Sequence, residues 1–170
     1  MTTRKLLLGA FAALCISSAC NNDDDELNSM DQTFIMQASY GNHAEVAAGQ
    51  LAATKAVHPE VKMFGQMMVT DHSTAQSELE NIASDRGVDP PDQPDPEHQA
   101  LMQRLMTLQG HSFDTAYMNS QVMDHQRTVQ LFENEINNGN DRRLIEYANK
   151  YLPHIRMHLH KADSLARVIQ

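Results

Sequence analysis

The sequence predicts an all-α fold, and three observations predict it. Four long segments carry apolar residues at spacings of three and four, the period of a helix that buries one face. No stretch alternates apolar and polar residues between turn signals, as a half-buried strand does. The first two segments and the last two are each joined by a tight turn, whereas the middle pair is separated by the proline-rich run GVDPPDQPDP at 87–96. Two helical hairpins joined by one long connection are the pattern of a four-helix bundle with a crossover, the ferritin-like arrangement. A simple up-down bundle is the alternative topology.

The first helix is expected over about 31–57, with Asp31 as N-cap and the stripe Phe34, Ala38, Gly41, Glu45, Ala48, Ala52. His58-Pro59 ends it, because the residue before a proline avoids the helical region. Pro59 then opens the second helix at its first position, with the stripe Val61, Phe64, Met68, His72, Ala75, Leu79, Ile82 and a stop at Gly87. The run 87–96 is extended and proline-stiffened. A short amphipathic piece over 97–109 follows, and Gly110 separates it from the third long helix, about 112–137, striped Met118, Val122, His125, Val129, Phe132, Ile136. The turn NNGND leads to the fourth, 141–169, striped Leu144, Ala148, Tyr151, Ile155, His158, Ala162, Leu165, Ile169. Pro153 lies inside this last helix and should kink it by removing a backbone donor.

Each stripe contains one conspicuous polar residue: Glu45, His72, His125 and His158. Counting along the helices at ~1.5 Å per residue places Glu45 and His72 ~20 Å from the same bundle end. With a crossover, His125 and His158 measure a similar depth from that end. A buried carboxylate and three buried imidazoles each need partners, and one divalent ion would satisfy all four. Imidazole with carboxylate suits zinc, iron or copper rather than magnesium or calcium. The competing explanation is a Glu-His hydrogen-bond network that only fixes helix register.

His154 lies one turn before His158 and offers a possible fifth ligand. Asp71 and Asp124, each preceding a stripe histidine, are candidates to orient a ligand ring from a neighbouring helix. Met68, one turn before His72, could extend a soft site, but eleven methionines are also what irregular core gaps require. The Glu-x-x-His pairs of carboxylate-bridged di-iron sites are absent from the sequence, as are GxSxG, CxxC, P-loop and HExxH patterns.

The amino terminus reads as an export leader over 1–19: Arg4 and Lys5, an apolar run from Leu6 to Ile16, then small residues. That run is too short to span a bilayer. Ser-Ala-Cys resembles the lipobox of bacterial lipoproteins, so Cys20 is the expected lipidation site and first mature residue, with 20–30 as a tether and 31–170 as the bundle domain. An ordinary signal peptidase site is the alternative. Cys15 leaves with the leader, so no internal disulfide is expected. The full chain carries a net charge of −9, and losing Arg4 and Lys5 makes it two units more negative, which disfavours nucleic acid and anionic lipid as partners.

A-x-x-G-N-x-x-E-V (38–46), V-K-x-F-G-Q-M-M-V-x-D-H (61–72), F-D-x-x-Y (113–117), D-H (124–125) and L-P-x-x-x-x-H-L (152–159) resemble the domain-of-unknown-function family 4142. The likeness covers about 31–165. It implies an exported ferritin-like helical bundle and supports the crossover topology. The family's outer-membrane label then implies attachment through lipidated Cys20. No reaction comes with the resemblance.

Two functions follow as expectations. One is a bacterial envelope lipoprotein, at the outer membrane, that holds a transition metal in its core. The other is a non-catalytic envelope interaction module whose Glu/His layer is structural.

Overall fold

The computed structural model describes residues 26–169; the expected leader over 1–19 and the expected lipidation site Cys20 lie outside them. Five helices are present and, among the described residues, no strand: α1 (Ser29–Lys55), α2 (Pro59–Asp85), α3 (Pro96–Thr107), α4 (Gly110–Asn138) and α5 (Arg142–Val168). The count differs from the four expected because the amphipathic piece after the proline run is a helix in its own right. Asp95 caps it by accepting the His98 amide at 3.0 Å, and Pro96 occupies its first turn.

Cap chemistry moves the first boundary as well. α1 is capped by Asn28, not Asp31: the Asn28 side chain accepts the amides of Met30 and Asp31 at 2.7 and 2.9 Å. Asp31 is the reciprocal member of that capping box, accepting the Asn28 amide at 2.6 Å. Its other oxygen accepts the amides of Asn140 and Asp141 at 2.9 and 3.0 Å, which ties the start of α1 to the α4–α5 turn. α5 runs through Pro153 as one continuous helix.

Contacts at the two bundle ends establish the topology. At one end the buried carboxylate of Asp114, near the start of α4, accepts the amides of Val57 and His58 in the α1–α2 turn at 3.1 and 2.8 Å. Thr115 there donates to the carbonyl of Ile169, at the end of α5. At the other end the Asn28 side chain donates to the Asn138 carbonyl, and Arg86 pairs with Asp141. Helices α2 and α4 therefore run parallel, and residues 86–109 return along the length of the bundle as the crossover. Helix α3 packs on α1 and α4 and buries Leu105 completely.

The core divides in two. Near the α1–α2 turn, Ala52, Val61, Phe64, Met68, Phe113 and Tyr117 form one apolar cluster; towards the opposite end, Phe34, Leu79, Phe132, Leu144, Tyr147 and Ile155 form another. A polar layer lies between them.

Helices α1 and α2 approach closely at two glycines. A methyl group on Gly49 would sit 2.7 Å from the Gly65 carbonyl oxygen, and one on Gly65 would sit 2.7 Å from that of Gly49; both are backbone atoms that cannot step aside. At Gly41, on the same helix, an added methyl meets nothing within 4 Å. Gly65→Ala is therefore expected to destabilise by about 1–3 kcal/mol through overpacking. Gly41→Ala should stabilise by up to ~1 kcal/mol through helix propensity. Denaturant unfolding of the two variants beside the parent decides this, and equal effects would contradict the close packing.

Candidate metal centre

Three helices each project one histidine into the polar layer: His72 from α2, His125 from α4 and His158 from α5. The rings form a near-equilateral triangle, with centroids 5.8 Å apart for His72–His125, 5.6 Å for His72–His158 and 5.4 Å for His125–His158. One nitrogen of each ring lies within 4.8 Å of the other two. The ring of Phe64 packs against the triangle, 6.4 Å from His125 and 6.5 Å from His158. The imidazoles sit inside the bundle: His72 is 7% exposed, His125 and His158 1%.

The outward nitrogen of each ring meets an oxygen that can only accept. His72 Nδ1 lies 2.9 Å from Asn42 Oδ1, His125 Nδ1 lies 3.0 Å from the Gln121 carbonyl, and His158 Nε2 lies 2.9 Å from a carboxylate oxygen of Asp71. Each outward nitrogen must therefore carry the proton. The inward atoms, His72 Nε2, His125 Nε2 and His158 Nδ1, are left as lone pairs, and all three are buried without a hydrogen-bond partner. Orphaned acceptors of this kind are rare in a folded interior.

The orientation of His72 is itself supported. Asn42 presents its oxygen to the ring because its amide nitrogen faces Gln76 Oε1 at 3.2 Å and the Tyr147 hydroxyl at 3.4 Å. Gln76 in turn donates to Ser39 Oγ at 2.8 Å, and Ser39 donates to the Pro91 carbonyl of the crossover at 2.8 Å. Asp71 orients His158 from the neighbouring helix, an arrangement common behind metal-binding histidines.

Electrostatics keep the rings neutral. Burial, then the neighbouring His125 and His158, hold His72 well below the ordinary histidine value. Burial lowers His125 to about 4 against the hydrogen bond it donates to the Gln121 carbonyl and the field of Asp124. His158 also falls to about 4, through burial first and His125 second, with Asp71 opposing. Neutral imidazole is the metal-binding form.

Glu45 occupies a different place from the one expected of a ligand grouped with the three inward nitrogens. Its Oε1 lies 3.6 Å from His125 Nδ1, the outward nitrogen, and its Oε2 is buried without a partner. Burial, reinforced by Asp124, pushes this carboxyl up to about 8, so it keeps its proton at neutral pH. His154 is exposed, with its ring 6.3 Å from that of Tyr151. Asp124 faces His98 Nε2 and Arg127 at 3.9 Å each, not a ring of the triangle. Among the described residues, the group close enough to share one ion is His72, His125 and His158.

Sequence reasoning missed Asn42, Gln76 and Ser39. Their positions held a signal: Asn42 is four residues after Ala38 and three before Glu45, so it shares the buried stripe on which Gly41 was placed.

The family model described as Domain of unknown function (DUF4142) matches residues 17–165. Among solved structures, the chain is similar to the bacterioferritin-related protein of Bacteroides fragilis, described as a dodecameric thioferritin. The two share 15% identity over 81% of this chain and 86% of that one, with a TM-score of 0.56. At that identity the likeness concerns the fold alone, which is ferritin-like. No curated protein matches the chain.

The lowered imidazoles predict a pH profile for the metal-free protein. In the unfolded chain these rings titrate near ~6.5, so below that pH the unfolded state binds more protons, and stability falls as pH drops from about 6.5 towards 4. Glu45 acts in the opposite sense: its contribution is full below the ordinary carboxyl value and is lost as pH rises through about 8. With chelator present, denaturant melts should show maximal stability near pH ~6.5. A His125→Leu variant should decline less on the acid side.

Proposed function

The chain belongs to the DUF4142 family, and we propose that it is an exported, lipid-anchored envelope protein that holds one transition-metal ion between His72, His125 and His158. One observation carries the metal: three buried imidazoles turn bare lone pairs towards one another while their other nitrogens are held by Asn42, Gln121 and Asp71. A network that served only to fix helix register would satisfy those atoms by bonding the rings to each other or to protein donors. Here the polar partners all stand on the outer side. An ion at the centre gives the three lone pairs the one partner they lack.

The donor set narrows the ion. Three imidazole nitrogens without thiolate suit zinc, copper or iron, and a hard oxygen-seeking cation poorly. Glu45 and His154 stand outside the three-nitrogen group, so the protein itself offers three ligands. The export and anchoring reading rests on Arg4, Lys5, the apolar run to Ile16 and Cys20. Among the described residues, no helix is long and apolar enough to cross a membrane. An anchor at Cys20 is the attachment this reading supplies.

Purified protein exposed to zinc and then desalted should retain about one equivalent by elemental analysis, and the His72→Ala, His125→Ala double variant should retain none. Equal retention by both proteins refutes the site. Asp71→Ala removes the acceptor behind His158 and is expected to weaken zinc binding ~10–100-fold in a competition titration against a chromogenic chelator. Detergent partitioning of the full-length product, lost in Cys20→Ala, tests the anchor.

A further inference from the structure

Three protein ligands would leave an ion's coordination incomplete, and a cavity adjoins the histidine triangle. A cavity of about 250 Å³ is lined by His72 and His158 but not by His125, so it meets the triangle on its His72–His158 side. Its walls are chiefly apolar, with Ala38, Ala75, Leu131, Phe132 and Ile155 around it. An apolar cavity of ~150 Å³ is enough for a benzene ring, so this one has room for a ligand with a hydrocarbon body.

Charge decides the ligand's other end. Three neutral imidazoles bring no negative charge to a buried dication, and a buried charge is costly unless compensated. Asp71, bonded to the far side of His158, answers one positive charge. Glu45 also lines the cavity, but its Oε1 lies 3.6 Å from the outward nitrogen of His125; an anionic donor supplied by the ligand would meet the ion directly on its open side and lower the remaining cost. A dianion such as phosphate is poorly served: among the described residues, Lys150 is the one lysine or arginine on the cavity wall, and it is tied to Glu78.

Resting on the metal site proposed above, we propose that this cavity binds a small monoanionic carboxylate with an apolar body. A carboxylate oxygen completes the coordination of the ion held by His72, His125 and His158, and the hydrocarbon part lies against Leu131, Phe132 and Ile155.

Cobalt(II) provides the readout, because its visible absorption changes with ligand number. The purified protein is loaded with cobalt, desalted, assayed for metal content, and titrated separately with azide and benzoate. Saturable spectral changes with both are expected. In Gly41→Leu, a side chain is added at a cavity-lining residue where an added methyl meets nothing within 4 Å; benzoate affinity should fall at least tenfold relative to azide affinity. Ala75→Leu, from the opposite helix, should do the same if the first variant fails to fold.

Cobalt retained with no response to either anion overturns this inference and leaves the metal site standing. A response to azide alone, or benzoate affinity unchanged in both variants, overturns the carboxylate assignment. No retained cobalt overturns the metal site and this inference together.

Discussion

A neutral imidazole has one donor and one acceptor, and burying three of them face to face with acceptors inward requires three acceptors outside the ring triangle. Most of the polar chemistry in this bundle follows from that requirement. The acceptors come from three kinds of source: a side-chain amide on α1, a backbone carbonyl one turn earlier on α4, and a carboxylate on α2. The amide needs its own supports, which is why Gln76 and Ser39 are buried polar residues where a core would otherwise be apolar, and why the crossover lends a carbonyl at Pro91. The two apolar clusters above and below hold the layer away from water and so lower the proton affinity of all three rings.

Helix spacing sets the reach of these contacts. Asparagine is short, and Asn42 reaches the His72 ring at 2.9 Å across the α1–α2 pair. Gly49 and Gly65 make the close approach of that pair possible, with Gly49 one turn beyond Glu45 and Gly65 two turns before His72 on the facing helix. Two residues that carry no functional group thus belong to the close packing of the helix pair across which Asn42 reaches His72.

How much of this was legible from the residues alone depended on the kind of information involved. Helix period and rise along the chain are fixed quantities, so the stripes and a depth count brought His72, His125 and His158 to one layer without coordinates. Pro59, Gly87 and Gly110 marked real boundaries because each has a backbone preference of its own; the latter two adopt φ of +69° and +58°. Rotation about the helix axis was less accessible. Gly41 and Asn42 are neighbours, and apolar periodicity favoured the wrong one. Glu45 lies in the expected layer, but which nitrogen of His125 it faces depends on side-chain torsions that spacing does not encode. Helix α3 was seen as an amphipathic piece, yet its standing as a helix depended on the Asp95 cap and on the burial of Leu105.

The crossover also has a consequence for the order of events in folding. Each hairpin, α1–α2 and α4–α5, is built from contacts local in sequence, which form fast. The triangle is not local: one ring belongs to the first hairpin and two to the second. It comes into being only when the hairpins dock, after the chain between them has closed as a loop. An ion that needs all three rings would therefore act late, fastening two preformed halves and slowing their separation more than it hastens their assembly.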